Sequence, residues 1–160
     1  MDDFGSSSLK RLIYEFSAAV QQTHARLGDV TALVDPERVT DVMRFLRDEL
    51  DFDMLMDLTA VDYLDENPRF EMVYHLYSTG QNQRIRIKAR VSADAPEIDS
   101  VTPLFVSANW MEREVFDLYG IGFNGHPDLR RILLYDEFEG HPLRKDYPKE
   151  KRQPLVGPRN

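Results

Sequence analysis

The chain has 160 residues, 28 acidic against 20 basic side chains, a formal charge of −8 and no cysteine. The length predicts one domain, and the absence of cysteine excludes disulfides, thiolate nucleophiles and cysteine-ligated iron–sulfur clusters. The acidic balance argues against nucleic acid as the main partner, and no apolar run approaches the ~20 residues of a membrane span.

The amino-terminal third predicts two amphipathic helices separated by a short strand. Apolar residues recur at helical spacing and Gly28 is a stop signal, so we expect a helix over about 8–27. An apolar run at 30–34 predicts the strand. Asp35 followed by proline is a typical helix start, and the apolar period after it extends the second helix to about residue 50.

Three strands are predicted next, over 54–63, 70–77 and 84–91. The last alternates sharply, with apolar residues on one face and a row of cations on the other. These cations are Arg84, Arg86, Lys88 and Arg90. The short polar links between the strands predict hairpins and therefore antiparallel pairing.

The order of elements predicts an α+β fold. We expect a mixed or antiparallel sheet of about four strands, with helices packed on one face and an irregular carboxy-terminal lobe. Residues 1–148 are expected to form one domain, with an extended basic tail over 149–160.

The lobe begins with a predicted helix at Asn109. Asn109 is a good N-cap and Glu112 has the capping-box spacing. Arg113 and Asp117 are spaced as an ion pair on one face, and Gly120 can supply the left-handed residue that ends the helix. The apolar stripe of this helix comprises Trp110, Met111, Val115, Leu118 and Tyr119.

A tripeptide repeats after this helix, because Gly125-His126-Pro127 recurs as Gly140-His141-Pro142. Each copy predicts a tight loop, since glycine frees the backbone and proline disfavours helix before it. A leucine and two basic residues follow each copy. The basic residues are Arg130, Arg131, Arg144 and Lys145.

The acidic residues and histidines of the lobe give little support for a catalytic or metal-binding site. Glu112 and Glu114 lie two positions apart on a helix and point to different sides, so capping and solvation explain them better than an acid–base pair. His126 and His141 each precede a proline, without zinc or iron spacing, which favours histidines that anchor turns. We therefore expect no catalytic, cofactor or metal site on this chain.

The cationic features admit two interpretations. The strand stripe 84–90 is either a solvated sheet face or a docking face for an acidic partner or a phosphate backbone. The basic residues of the lobe favour partner docking, because arginine is enriched at interfaces. Two stand-alone functions remain open at this point: a hydrolase using Glu112, Glu114 or His126, and a nucleic-acid binder whose binding would be salt-sensitive. The third, a structural subunit of a redox assembly, depends on a resemblance carried by the stretch from 109 to 148.

The stretch from 109 to 148 closely resembles the signature of the thirty-kilodalton subunit family, which is the C subunit of NADH-quinone oxidoreductase in respiratory complex I. The positions that carry the resemblance are Glu112, Arg113, Glu114, Asp117, Gly120, Gly125, His126, Pro127, Arg130, Arg131, Gly140, His141, Pro142, Arg144, Lys145 and Asp146. The similarity extends backwards through 100–103, 74–76 and 57–62 to about residue 36.

The resemblance implies a non-catalytic subunit in the peripheral arm of complex I. Such subunits carry no redox centre and pack against the quinone-site D subunit and near the iron–sulfur B and I subunits. Iron–sulfur clusters, FMN and quinone would belong to those partners. The implied location is peripheral, on the cytoplasmic face of a bacterial inner membrane, and the residues of the signature would shape the lobe and its partner surface. Related subunits also serve membrane-bound hydrogenases and dehydrogenases with other donors, so the donor stays open.

Overall fold

A five-stranded mixed sheet forms the centre of the molecule in the computed structural model, which describes residues 7–154 and 156. The strands are β1 Val20–His24, β2 Thr31–Val34, β3 Met54–Asp62, β4 Phe70–Ser78 and β5 Gln83–Val91. Their order is β1-β2-β5-β4-β3, in which β3, β4 and β5 pair antiparallel and β2 pairs with β5 in parallel. The predicted α+β fold with a mixed sheet is confirmed.

Three helices and a small second sheet complete the fold. The helices are α1 Ser7–Glu15, α2 Val39–Leu50 and α3 Ala108–Tyr119, and the second sheet pairs β6 Glu97–Asp99 with β7 Gly122–Asn124 in parallel. One hydrophobic cluster joins buried residues of all three helices to the apolar side of the large sheet. None of the helices within residues 7–154 is long and apolar enough to cross a membrane.

The middle strands follow the predicted alternation. In β5, Ile85, Ile87 and Ala89 are buried in the core, while the cations between them lie on the other face. The second predicted helix is also confirmed: it opens with a 3-10 turn at Pro36–Arg38, where the Asp35 carboxylate accepts the Glu37 backbone N–H at 3.0 Å.

The predicted first helix, over about 8–27, is wrong in its length. Helix α1 ends at Glu15, and the chain turns so that the Val20 backbone N–H bonds to the Phe16 carbonyl. Residues 20–24 then form β1, antiparallel to β2 at the edge of the sheet. The apolar helical period stops at Phe16 and Val20, and pairing with β2 satisfies the backbone of the polar residues that follow. This added strand raises the sheet from the expected four strands to five.

The predicted tail, 149–160, is described only at 149–154 and 156, where it contains no helix or strand; the other positions lie outside the described residues.

The core contains one polar atom whose removal should stabilise the protein. Tyr74 is fully buried in β4, and among the described residues its hydroxyl is the buried side-chain polar atom that lacks a hydrogen-bond partner. A buried unsatisfied hydroxyl costs roughly 1–3 kcal/mol. We expect Tyr74→Phe to raise the free energy of unfolding by about 1 kcal/mol in urea titrations. Tyr77→Phe is the matched control, because the Tyr77 hydroxyl donates to Asn82 Oδ1 at 2.8 Å and its loss should not stabilise.

Candidate functional site

Helix α3 buries charged side chains where an apolar stripe was predicted. Glu112, Arg113 and Asp117 are buried, whereas Trp110 of the predicted stripe is 62% exposed. The stripe prediction is therefore wrong for Trp110. Val115 joins the hydrophobic core as predicted, while Arg113 and Asp117 are buried against residues 125–154, here called the carboxy-terminal arm, which contains no helix or strand. The backbone groups of such a segment need side-chain partners.

Asp117 supplies the largest set of these bonds. Its Oδ2 accepts the backbone N–H groups of Ile132, Leu133 and Leu134 at 3.1, 2.8 and 2.9 Å, and its Oδ1 accepts Arg131 Nη1 at 2.8 Å. Burial opposes ionisation, yet the three backbone N–H groups and Arg131 together hold the pKa of Asp117 below its ordinary value. The carboxylate therefore stays charged and organises the turn around it.

Arg113 holds the same segment through its carbonyl groups. Its Nε and Nη2 donate to the carbonyls of Arg130 and Arg131, both at 3.1 Å, and its guanidinium lies 5.3 Å from the Trp110 ring centre. The predicted ion pair between Arg113 and Asp117 is wrong, because each side chain is taken up by the arm.

Arg131 and Arg130 have different surroundings. Arg131 is mostly buried and also donates to the carbonyls of Phe138 at 2.9 Å and Gly140 at 3.1 Å, which ties two parts of the arm together. The Arg130 side chain is 71% exposed and pairs with Asp128. Partner docking remains a prediction for both residues, but the contacts of Arg131 within the chain give it a structural role.

Both histidines of the repeated tripeptide anchor turns. The His126 Nδ1 accepts the Asp128 backbone N–H at 3.0 Å, so its Nε2 donates to the Asn109 carbonyl at 3.1 Å. The His141 Nδ1 donates to the Asp117 carbonyl at 2.9 Å, and burial lowers the His141 pKa. No group of three or more potential metal-ligating side chains occurs within the described residues.

After the second tripeptide, residues 145 and 146 bind to Asp62 of β3 and to Arg69, which precedes β4. The buried Asp62 accepts Arg69 through both oxygens at 2.7 Å, and also the Lys145 backbone N–H at 2.8 Å. Arg69 in turn holds both oxygens of Asp146 at 2.9 Å. Sequence reasoning did not single out Arg69. A usable signal existed at Asp62, which shares the inward side of β3 with Leu58 and should therefore need a cationic partner.

Arg144 also turns inwards, against the end of α3. Its Nε donates to the Tyr119 carbonyl and its Nη2 to the Gly120 carbonyl at 3.4 Å, while its guanidinium lies 5.2 Å from the Phe70 ring centre. Gly120 has the left-handed conformation predicted for a helix terminator, with a φ of 70°.

Glu112 binds the segment before α3 instead of capping the helix. The Ser100 hydroxyl donates to Oε2 at 2.7 Å and the Val101 backbone N–H to Oε1 at 2.8 Å. The predicted capping box is wrong, because the Asn109 N–H already bonds to the Val106 carbonyl and Asn109 lies inside the helix. Burial raises the pKa of Glu112 to about 7, against the two hydrogen bonds that lower it. Glu114 is exposed on the other side, as expected.

The cationic stripe of β5 is largely neutralised by carboxylates of the same chain. Arg86 pairs with Asp29, Lys88 pairs with Glu71, and Arg90 pairs with Glu66 and Glu71. Arg84 is the exposed member and stacks on Tyr77. This pairing favours the interpretation of the stripe as an ordinary sheet face.

Comparison with known proteins identifies a consistent set of relatives. The family model for the 30 kDa subunit of respiratory-chain NADH dehydrogenase matches residues 32–153. The C subunit of the NADH-quinone oxidoreductase of Geobacter sulfurreducens is 47% identical over 150 residues, which cover 92% of this chain and 93% of that protein. The corresponding C subunit of Trichlorobacter lovleyi is 48% identical over 153 residues, which cover 94% of each chain.

Two solved structures resemble the fold. A trypsin-resistant fragment of Nqo5 superimposes with a TM-score of 0.68 at 33% identity, covering 76% of this chain and 99% of the fragment. A chain of an archaeal membrane-bound sulfane sulfur reductase superimposes with a TM-score of 0.78, covering 89% of this chain and 84% of that chain. The second likeness, at 24% identity, is one of fold alone.

Two glycines of the lobe should differ in their tolerance of alanine. Both have positive φ, 70° at Gly120 and 81° at Gly125, which costs a residue with a Cβ about 1–2 kcal/mol. A Cβ at Gly120 would also lie 2.5 Å from the His141 ring, whereas a Cβ at Gly125 would meet no atom within 4 Å. We expect Gly120→Ala to lower the free energy of unfolding by at least about 3 kcal/mol. Equal losses for the two variants in urea unfolding would contradict the packing of His141 on Gly120.

Glu112 should make stability depend on pH near neutrality. Its pKa is raised in the folded state to about 7 from an ordinary value of 4.5, so the folded protein retains a proton that the unfolded chain has lost. The stabilisation is therefore complete below pH 4.5 and disappears as the pH rises through 7. Glu112→Gln cannot ionise and keeps an oxygen that can accept the Val101 N–H.

The measurement is urea unfolding of the protein and of Glu112→Gln at about pH 5 and about pH 8, on either side of the raised pKa. We expect the variant to gain stability relative to the unsubstituted chain as the pH rises, by up to about 3 kcal/mol, because one pKa unit corresponds to ~1.4 kcal/mol. Burial lowers the pKa values of His75 and His141, which makes their contribution increase with pH, but both histidines are present in both proteins and cancel. A difference that does not change with pH would show that Glu112 titrates normally.

Proposed function

Because the chain belongs to the family of the 30 kDa subunit of respiratory-chain NADH dehydrogenase, we propose that it is a cofactor-free structural subunit of the peripheral arm of an NADH:quinone oxidoreductase. The observation that carries this proposal is the use of the signature residues. Four signature residues use their charged groups in contacts that shape the lobe, namely Glu112, Arg113, Asp117 and Arg131. These contacts leave no exposed acid–base pair among the four.

The shaped lobe presents an apolar surface that supports a docking role. Val106 is 86%, Trp110 62% and Leu133 64% exposed. Val106 lies in the turn just before α3 and Trp110 lies in its first turn, while Leu133 belongs to the segment that Asp117 holds against the same helix. Exposed apolar patches mark interaction sites, and tryptophan is enriched among residues that dominate binding energy. We define Val106, Trp110 and Leu133 as the apolar docking face.

The proposed partners are the D subunit, which would help to form the quinone site, and the B and I subunits, which would carry iron–sulfur clusters. FMN would belong to another partner subunit of the complex. The lack of cysteine in this chain supports that division, since thiolates are the usual ligands of such clusters. The proposed location is peripheral, on the cytoplasmic face of a bacterial inner membrane. Arg130, largely exposed beside Asp128, would lie at the polar rim of the interface.

An equivalent subunit of another respiratory membrane complex is the second candidate. It is favoured by the shared fold of the archaeal sulfane sulfur reductase chain, although the identity there is 24% against 47% and 48% for the two bacterial relatives cited above. The electron donor would then be a property of the partner subunits.

Affinity purification of the tagged chain from its own cells in mild detergent tests the proposal. Iron–sulfur, flavin and membrane subunits should co-purify with NADH dehydrogenase activity. Nickel without a flavin subunit would favour a membrane-bound hydrogenase, and a chain that is recovered alone would contradict both candidates.

The apolar docking face makes a specific prediction for assembly. We expect Trp110→Ala to reduce the partner subunits recovered with the tagged chain about tenfold or more, since truncation of a central interface tryptophan costs ~2 kcal/mol or more. The free energy of unfolding should fall by only about 1 kcal/mol, from loss of the contact with Arg113. Tyr14→Ala is the control, because Tyr14 is also an exposed aromatic residue on a helix but lies on α1. Equal recovery from both variants would argue against this face.

A further inference from the structure

The carboxy-terminal arm contains a pocket of about 650 Å³ with a uniform charge. Its lining residues are Pro142, Leu143, Arg144, Lys145, Tyr147 and Lys149. Three of these six are cations and none is acidic. We propose that this basic pocket is the docking site for an acidic segment of a neighbouring subunit, an inference that rests on the proposed function and adds a second contact to the apolar docking face.

The two lysines of the basic pocket form no salt bridge within the described residues, whereas the guanidinium of Arg144 lies within electrostatic reach of Asp62 and Asp146. Arg144 donates only to the carbonyls of Tyr119 and Gly120, and no salt bridge reaches Lys145 or Lys149. The nearest carboxylate in the sequence, Asp146, has both oxygens engaged by Arg69. The charges of Lys145 and Lys149 are therefore available to a ligand from outside, and both side chains are exposed.

The lysines of the basic pocket differ from the cations of the β5 stripe in having no acidic partner among the described residues. There, carboxylates of the same chain pair with three of the four cations, as described above. The chain as a whole carries a formal charge of −8. An acidic partner would be repelled by most of the surface and attracted to the basic pocket, which gives orientation as well as affinity.

The pocket is preformed by contacts on the side away from solvent. The Lys145 backbone N–H is held by Asp62 at 2.8 Å, and Arg144 is held by the last carbonyls of α3. The Tyr147 hydroxyl accepts Gln153 Nε2 at 3.0 Å. A site that needs little ordering on binding loses less conformational entropy and binds more tightly.

Apolar groups in the lining indicate a peptide ligand. Leu143 is 49% exposed, and Pro142 and the Tyr147 ring lie beside the cations. An acidic peptide segment can place carboxylates against the exposed Lys145 and Lys149 and an apolar side chain against Leu143. Single-stranded nucleic acid would need a longer basic groove with several stacking aromatic residues, whereas Tyr147 is the one aromatic residue in this lining.

Carbodiimide cross-linking of the purified complex tests the proposal directly. This reagent joins a lysine amine to a carboxylate only when the two groups are in contact. We expect mass spectrometry to find Lys145 or Lys149 joined to an aspartate or glutamate of another subunit. Lys151 and Glu139, whose Nζ and Oε2 atoms are 3.4 Å apart, provide an internal positive control.

Two double variants distinguish the effect of the lysine charges from the reactivity of the lysine amines. Lys145→Arg with Lys149→Arg keeps the charge but removes the reactive amines, so the cross-link should vanish while recovery of the complex is unchanged. Lys145→Glu with Lys149→Glu reverses the charge, and we expect about tenfold less of the complex to survive a moderate-salt wash. Both lysine side chains are exposed, so the fold should be retained by circular dichroism.

The possible outcomes are distinct. Failure of Lys145 and Lys149 to couple to another subunit, while Lys151 couples to Glu139, would overturn the proposal and leave the proposed function intact. Loss of bound lipid phosphate from the charge-reversed complex, without any protein cross-link, would overturn it in favour of a phosphate ligand. If the unsubstituted chain recovers no partner subunits, the proposed function fails and this inference fails with it.

Discussion

Three consecutive backbone N–H groups donate hydrogen bonds to the Asp117 carboxylate, and the carboxy-terminal lobe depends on this constraint. Residues 125–154 form no helix or strand, so their peptide groups receive no bonds from a regular ladder. A charged acceptor in a buried position forms stronger hydrogen bonds than a neutral one and can order several donors at once. The arm therefore takes its shape from α3, and α3 buries charge in order to give it that shape.

The surroundings of a buried carboxyl group decide whether its pKa is raised or lowered. Asp62, Asp117 and Glu112 show both outcomes. Asp62 and Asp117 each contact an arginine and backbone N–H groups, which keep their pKa values below the ordinary range. Glu112 has one hydroxyl and one backbone N–H but no cation, so burial prevails and its pKa rises. Two of these groups fasten the arm, and the third fastens the segment that leads into α3.

The parts of the fold that could be predicted are those in which local sequence and tertiary environment agree. Strands β3 to β5 alternate and face one core, and the Asp35-Pro36 start of α2 is a local signal. The end of α1 was missed because the edge strand β1 depends on β2, a partner outside the local window. On α3, the core positions of Val115, Met111 and Tyr119 were predicted, but the burial of Arg113 and Asp117 was missed for a related reason. Apolar periodicity assumes that a helix packs against apolar side chains, and the part of α3 that holds Arg113 and Asp117 packs instead against peptide groups of a segment that lacks regular structure. The signature residues were recognised as a group, but their division between inward-facing Arg131 and exposed Arg130 required the structure.

The parallel pairing of β2 with β5 has a consequence for the order in which the chain folds. Thr31 is in register with Arg86, 55 residues further along the chain. The antiparallel strands β3, β4 and β5 are joined by short links and can pair early, whereas closing the longer loop between β2 and β5 costs more conformational entropy. Strands β1 and β2 are joined by the short link 25–30 and can pair with each other, but β2 joins the large sheet only through β5. During translation β1 and β2 therefore leave the ribosome well before β5, the strand that connects them to the rest of the large sheet.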